Sequence, residues 1–317
     1  MTGFLVRRFL QAVVVIVSVM AIMFVLIHLI PGGEARAVLG PKAQPVQIAA
    51  FNRENGLDLP LWDQFVRYLW NLTHFNLGFS HVLNQNVTSA IATALPKTLV
   101  LVGFATVFAL IVAIPMGIYQ VVRRNKPDDY MITGLTFLLY ATPAFLLGSL
   151  LILWFGVYLH IFPTEAPQSQ SVWGILSDPR ALVLPVVTLA GVSIASFSRY
   201  MRSSMMETMT EDYVRTARAK GAAPRRVLYV HGLRNAIIPV ITLLGLSIGT
   251  IVSGAVVTET VFNYPGMGLL AVNSASHEDV PTLLGVTFVV TIATIVGNLI
   301  ADILYAIVDP RIRYAKS

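Results

Sequence analysis

Charge and cysteine are what this sequence has least of. Of 317 residues only 12% are Asp, Glu, Lys or Arg, and none is cysteine. A soluble domain carries about 25% charged residues on its surface, so half that fraction excludes an ordinary water-soluble enzyme. Without cysteine there is no disulfide framework, thiolate metal site or cysteine nucleophile. The phosphate-cradling pattern Gly-x-x-x-x-Gly-Lys-Ser/Thr is missing too. Lys97-Thr98 follows Pro96 where glycine is required, and Lys316-Ser317 has no such loop before it. This chain is no Walker-type ATPase. Neither His-Glu-x-x-His nor Gly-x-Ser-x-Gly occurs, and His28, His74, His81, His160, His231 and His277 are scattered without metal-ligand spacing. His28 reads as a hydrogen-bonded structural residue rather than a ligand.

Apolar sequence fills the space that charge leaves: 56% of residues are hydrophobic and the mean hydropathy is +0.72. A spanning helix needs about 20 apolar residues to cross about 30 Å of hydrocarbon. Six charge-free apolar runs satisfy this, at 9–33, 98–122, 130–164, 181–198, 235–258 and 280–301. The spans expected within them are 9–30, 98–121, 131–158, 181–199, 236–257 and 281–307. The runs 68–96 and 260–277 also lack charge, but Asn, His, Pro and Gly make them too polar for lipid, so they belong outside the bilayer or in protein-lined space. The first span resembles a signal peptide behind Arg7 and Arg8, yet its apolar stretch outruns the usual 7–15 residues, so it reads as a retained helix.

The expected fold class is therefore an all-α polytopic membrane protein with six transmembrane helices in a single domain, 1–317. The net charge of +6 is topological. With both termini placed in the cytoplasm, sixteen basic residues lie inside and six outside, which fits the positive-inside bias and leaves no call for nucleic acid. Asn298 and Asp302 sit at i, i+4 in the sixth span; intramembrane polar groups are functional candidates by default, and a structural pairing of Asp302 with a loop arginine is the other reading. Gly245, Gly249 and Ser253 form a small-residue ridge in the fifth, suited to close helix packing within the chain or against a partner. Pro115, Pro143 and Pro185 favour kinks inside spans.

Two connections are long. The outer loop, 31–96, begins with Pro31-Gly32-Gly33 and carries Leu61–Trp70, whose aromatic and aliphatic residues recur at helical spacing, as in an interfacial amphipathic helix. The cytoplasmic loop, 200–235, carries helical sequence to Lys220. Gly221 then supplies the left-handed stop and Pro224 the first turn of a second helix. The product is an elbow at 211–223. Tyr213, Ala217 and Gly221 stand at i, i+4, i+8, with Ala219, Ala222 and Ala223 beside them. The bland reading is a solvated basic loop over acidic headgroups. Small side chains that let another backbone approach favour docking into a groove. Met201, Met205, Met206 and Met209, just before the elbow, read as adaptable packing.

The run Asp212-Tyr-Val-Arg-Thr-Ala-Arg-Ala-Lys-Gly221, continuing through His231-Gly-Leu-Arg-Asn235 to Pro239, resembles the cytoplasmic "EAA" loop of ABC importer permeases, in the version of the dipeptide/oligopeptide family. Gly56–Ser80 resembles the outer loop of its B-type permease, Thr258–Gly268 the segment after its fifth span, and Leu304–Tyr314 its C-terminal motif. Counted back from Gly221, Glu-Ala-Ala falls on Arg215-Thr216-Ala217, so one residue of three matches, and Glu211 is the nearest stand-in for the glutamate.

This resemblance implies a type I ABC importer permease fold with a cytoplasmic coupling helix, in the inner membrane of a prokaryote. It implies a second homologous permease, two P-loop ATPases holding ATP and Mg, an extracytoplasmic substrate-binding protein and a peptide substrate, with no cofactor or catalytic residue in this chain. Glu211, Tyr213, Arg215, Ala217, Ala219, Gly221 and Arg225 would then form the ATPase-coupling loop. Glu259, Asn263, Pro265, Gly266 and Gly268 would form the outer gate or contact the binding protein. The alternative is a secondary transporter driven by an ion gradient and acting alone. It would need a mid-membrane ion site, ideally between inverted repeats, and the spans show neither.

Overall fold

The computed structural model describes residues 2–29, 33–40 and 42–308; side chains at 2–5, 34, 37, 246–254 and 301–308 are outside the description. The expected turn at Pro31-Gly32 and residues 309–314 of the C-terminal motif fall outside the described residues. Among those described, five helices are long and apolar enough to cross a membrane, or six if one sharply bent pair counts as one span. The chain forms two compact units.

The first unit comprises Met1–Thr98, Ser169–Val172 and Pro265–Ile295. It holds α1 (Thr2–His28), α2 (Gly33–Leu39), α3 (Pro45–Asn55) and α4 (Leu61–Thr73). A two-residue antiparallel pair follows, Phe79–Ser80 with Gln85–Asn86, and is the one departure from an all-α chain among the described residues. Helix α3 starts where Pro45 fixes the first turn and Gln47 Oε1 accepts from the Gln44 backbone N–H at 2.9 Å. The amphipathic segment expected at 61–70 is α4. Phe65, Tyr68, Leu69 and Leu72 pack with Met20, Leu77, Val87 and Ile91, while Trp62 and Trp70 stay outside. Burial raises the Tyr68 phenol above its ordinary value, so it stays neutral. Ser80, fully buried, donates to the Asp279 carboxylate at 2.6 Å and so straps the strand pair to the residue that opens the last helix.

The second unit comprises Leu99–Gln168, Trp173–Tyr264 and Val296–Ser317. Helix α5 (Val87–Val122) begins in the first unit, eleven residues before the expected span at 98. At 36 residues it is about 54 Å long, longer than hydrocarbon alone requires. Lys97, which ends the apolar run in the sequence, is only 3% exposed and lies inside the helix, so it marks no boundary.

The expected third span at 131–158 is not one helix. It is α6 (Pro127–Ala141) and α7 (Ala144–Leu151), the latter running into a π-helical stretch, Ile152–Tyr158, with a 108° bend at Thr142-Pro143. Proline restricts the residue before it to extended backbone, and Thr142 adopts ψ 123° there. After the short α8 (Val172–Leu176) comes α9 (Pro179–Thr208), the most deeply packed helix, set among α6, α7 and two helices that follow it. It extends past the expected span at 181–199, so the connection expected from residue 200 begins nine residues later. Ala105, Ala109 and Ala113 give α5 a flat row toward Phe197, Met201 and Met205. At Gly117 a Cβ would lie 2.7 Å from that of Met201 and 2.8 Å from the Ser198 carbonyl oxygen, so the two backbones meet with no room for a side chain.

Candidate coupling elbow

From the end of α9 the second unit turns through Met209–Glu211 into α10 (Asp212–Ala219), α11 (Pro224–Arg226), a π-helical stretch Val227–Gly232 and α12 (Leu233–Ala236), then into α13 (Ile238–Val261). The elbow expected at 211–223 is present. Glu211 stands before the first turn with extended backbone, its carbonyl accepting from the N–H groups of Val214 and Arg215 at 3.1 Å each. Asp212 puts an acidic group where the helix dipole is positive. At the other end the Gly221 N–H donates to Arg218 O at 2.9 Å and the Ala222 N–H to Ala217 O at 3.1 Å. These two bonds form a Schellman closure, and it needs a left-handed residue at Gly221, whose φ is 80°.

The inner side of the elbow is held by this chain alone. Val214 is fully buried and Ala217 is 9% exposed, against the stretch Val227–Gly232. Asn235 Nδ2 donates to the Tyr213 hydroxyl at 2.7 Å across the turn. The methionines act as the expected packing: Met201 and Met205 are fully buried, and Met209 Sδ and Met205 Cε sit 3.1 and 3.2 Å from where a Gly232 Cβ would be. The outer side is bare. Arg215, Thr216, Arg218, Ala219, Lys220, Gly221, Ala223 and Arg225 are all exposed, and nothing lies within 4 Å of a Cβ built at Gly221. The Arg215–Asp212 pair is long at 3.5 Å and solvent-screened, so the arginine remains available.

One expectation is corrected here. The row Tyr213, Ala217, Gly221 does not form a docking face. Ala217 shares the inner arc with Val214, and the helix ends at Ala219, so Gly221 lies beyond the 3.6-residue repeat. The small exposed residues are Thr216, Ala219, Gly221 and Ala223.

The outer-gate candidates divide in a similar way. Glu259 is fully buried in the second unit, and Gly266 and Gly268 are buried in the first, which removes them as surface contacts of this chain. Pro265 is partly covered. Asn263 is exposed at φ 48°, its carbonyl accepting from Gln168 Nε2 at 2.6 Å. In α15 (Val280–Val308), which follows α14 (Met267–Ser276), Asn298 is exposed and the Asp302 side chain is outside the description. Gly245 is buried, while nothing is described around Gly249 and Ser253. His28 is the structural histidine expected, with Nδ1 2.8 Å from Phe24 O. No cluster that could hold a metal ion occurs among the described residues.

Sequence reasoning missed two polar ties of the second unit, Asp129–Arg202 and Tyr213–Asn235. Each joins residues far apart in the chain, and no local pattern marks them.

Comparison with known proteins agrees with this architecture. The family model described as the binding-protein-dependent transport system inner membrane component matches residues 109–314, and the N-terminal model of the same family matches 1–102. The chain is 38% identical to the oligopeptide transport system permease protein AppB of Bacillus subtilis (strain 168), over 99% of this chain and 100% of that protein. It is 33% identical to the dipeptide transport system permease protein DppB of Escherichia coli (strain K12), over 100% of each. It is 36% identical to the glutathione transport system permease protein GsiC of Escherichia coli O6:H1, over 99% and 100%. The chain belongs to the family of inner membrane components of binding-protein-dependent transport systems.

Proposed function

We propose that this chain forms one half of the pore of an ATP-driven importer for di- and oligopeptides and takes its drive from an ATPase seated on the elbow at 211–223. A second, homologous permease completes the pore. Two P-loop ATPases hold ATP and Mg, and an extracytoplasmic binding protein delivers the peptide. The chain itself catalyses no bond breaking. Both termini and the elbow face the cytoplasm, as the excess of basic residues there favours.

The observation that carries this reading is the asymmetry of the elbow. It is tied from within by Val214, Ala217 and Tyr213, and outside it is small, cationic and uncovered. A segment braced in this way passes on a push without absorbing it, which coupling requires. The names of the relatives support peptide as cargo, since two are permeases for oligopeptide and dipeptide and the third for glutathione, itself a peptide.

The test pairs Gly221→Asp with Gly221→Asn. Both place a side chain on a left-handed backbone that Asn and Asp tolerate, but only Asp adds charge to the docking face. Peptide uptake should fall at least tenfold in Gly221→Asp with membrane insertion intact, and by clearly less in Gly221→Asn. Normal uptake by Gly221→Asp contradicts the coupling role.

A further inference from the structure

A cavity of about 280 Å³ lies within the first unit and is lined by residues of that unit alone. Its apolar wall is made by Phe24 and Ile27 at the end of α1 and by Leu284 in the first turns of α15, with Ile27 and Leu284 each 8% exposed. Arg67 and Asn71, one turn apart on α4, line its polar side. No Asp or Glu lines it, and Arg67 has no ion-pair partner among the described residues. Two neighbouring polar groups are already engaged. Gln64 Nε2 donates to Leu57 O and Leu59 O, and the Tyr68 hydroxyl points to Met20 Sδ. The Arg67 guanidinium and the Asn71 amide are left to meet an anion.

The level of the cavity points to the source of that anion. The apolar part of α1, Val6–His28, is 23 residues long and so spans about 34 Å, enough to fill the hydrocarbon core. Its end at Phe24–His28 therefore lies where headgroups begin. On α4, Trp62 and Trp70 are 71% and 65% exposed, and tryptophan favours that same level. An anionic oxygen group carried on an apolar body, present at headgroup depth, describes an acidic phospholipid. We propose that this cavity binds the headgroup phosphate of an anionic phospholipid. Arg67 and Asn71 hold the phosphate oxygens, and Phe24, Ile27 and Leu284 meet the glycerol ester region. The volume admits a headgroup and leaves the acyl chains in the bilayer. In this arrangement the lipid pins α4 to the end of α1.

The experiment uses the full chain, purified in detergent, stripped of lipid and titrated with phosphatidylglycerol or phosphatidylcholine under native mass spectrometry. Phosphatidylglycerol should bind at no more than one tenth the concentration phosphatidylcholine needs. Arg67→Gln should erase that preference, and so should Asn71→Asp, which sets a carboxylate in the cavity. Arg53→Gln, outside the cavity lining, should keep it, and a thermal melt checks that each variant is folded. A tenfold change matches the loss of one charge-assisted hydrogen bond. Equal binding of the two lipids, or an unchanged preference in folded Arg67→Gln, overturns the proposal. Displacement of phosphatidylglycerol by a dipeptide with a free carboxyl end, but not by its amide, assigns the cavity to cargo and overturns it too. None of these outcomes depends on the elbow, so the transport reading stands or falls separately.

Discussion

Arg202 grips Asp129 with two hydrogen bonds, Nε to Oδ1 at 3.1 Å and Nη2 to Oδ2 at 2.9 Å. The carboxylate is 3% exposed and also accepts from Gln120 Nε2 at 3.3 Å and from the Asn125 backbone N–H at 3.1 Å. One buried group thus joins the end of α5, the turn after it, the start of α6 and α9, on the stretch of α9 that leads into the elbow. Four contacts satisfy the charge, which is what keeps it tolerable away from water.

Removing one partner of such a pair strands the other. Arg202→Met should lower stability by about 3 kcal/mol, read as a fall in melting temperature of the detergent-purified chain. Asp129→Asn should cost less, because the amide oxygen still accepts from Asn125. A wild-type melt for Arg202→Met would show that the pair carries no load.

Glycines on one helix should respond in opposite ways. Gly117→Ala forces a methyl against Met201 and the Ser198 carbonyl and should cost about 1–3 kcal/mol. Gly103, on the same helix, has nothing within 4 Å of a new Cβ. Gly103→Ala should be neutral or stabilising by up to about 1 kcal/mol. Equal melts for the two variants would contradict the close approach of α5 and α9.

The tie between Tyr213 and Asn235 is exposed, so its worth is small. Tyr213→Phe should cost about 1 kcal/mol or less. Tyr213→Phe combined with Asn235→Ala should cost no more than the larger of the two single changes. Additive losses in that double-mutant cycle would mean that the two residues do not act together.

Topology is open to direct labelling, because the chain has no cysteine of its own. In right-side-out vesicles a membrane-impermeant maleimide should modify Asn84→Cys at once. It should reach Lys220→Cys only after permeabilisation. The reverse order would invert the assigned orientation.

Much of this was legible in the sequence because it rests on local chemistry. Apolar run length locates the spans, helical spacing of aromatic and aliphatic residues along 61–70 announces α4, and Gly221 with Pro224 punctuates the elbow. The bend at Thr142-Pro143 was legible as a kink but not as 108°, because proline removes a hydrogen bond while neighbouring packing sets the angle. The π-helical stretches at Ile152–Tyr158 and Val227–Gly232 shift the register of the helices that contain them, and periodicity carries no sign of them. The inward turn of Ala217 depended on where α10 ends. Lys97 sets the boundary of α5 too late in the sequence, because charge signals exposure and this lysine is buried. Asp129–Arg202 spans 73 residues and exists only once α6 lies beside α9.

On the proposal made above, the outer side of the elbow seats an ATPase. Single cysteines at Thr216, Ala219 and, as a control on α4, Trp62 would each carry a thiol-linked benzophenone in cells expressing the whole transporter. After irradiation, Thr216→Cys and Ala219→Cys should crosslink to a chain bearing a P-loop, and Trp62→Cys should not. If neither elbow position captures such a chain while the transporter remains active, the elbow is not the coupling site.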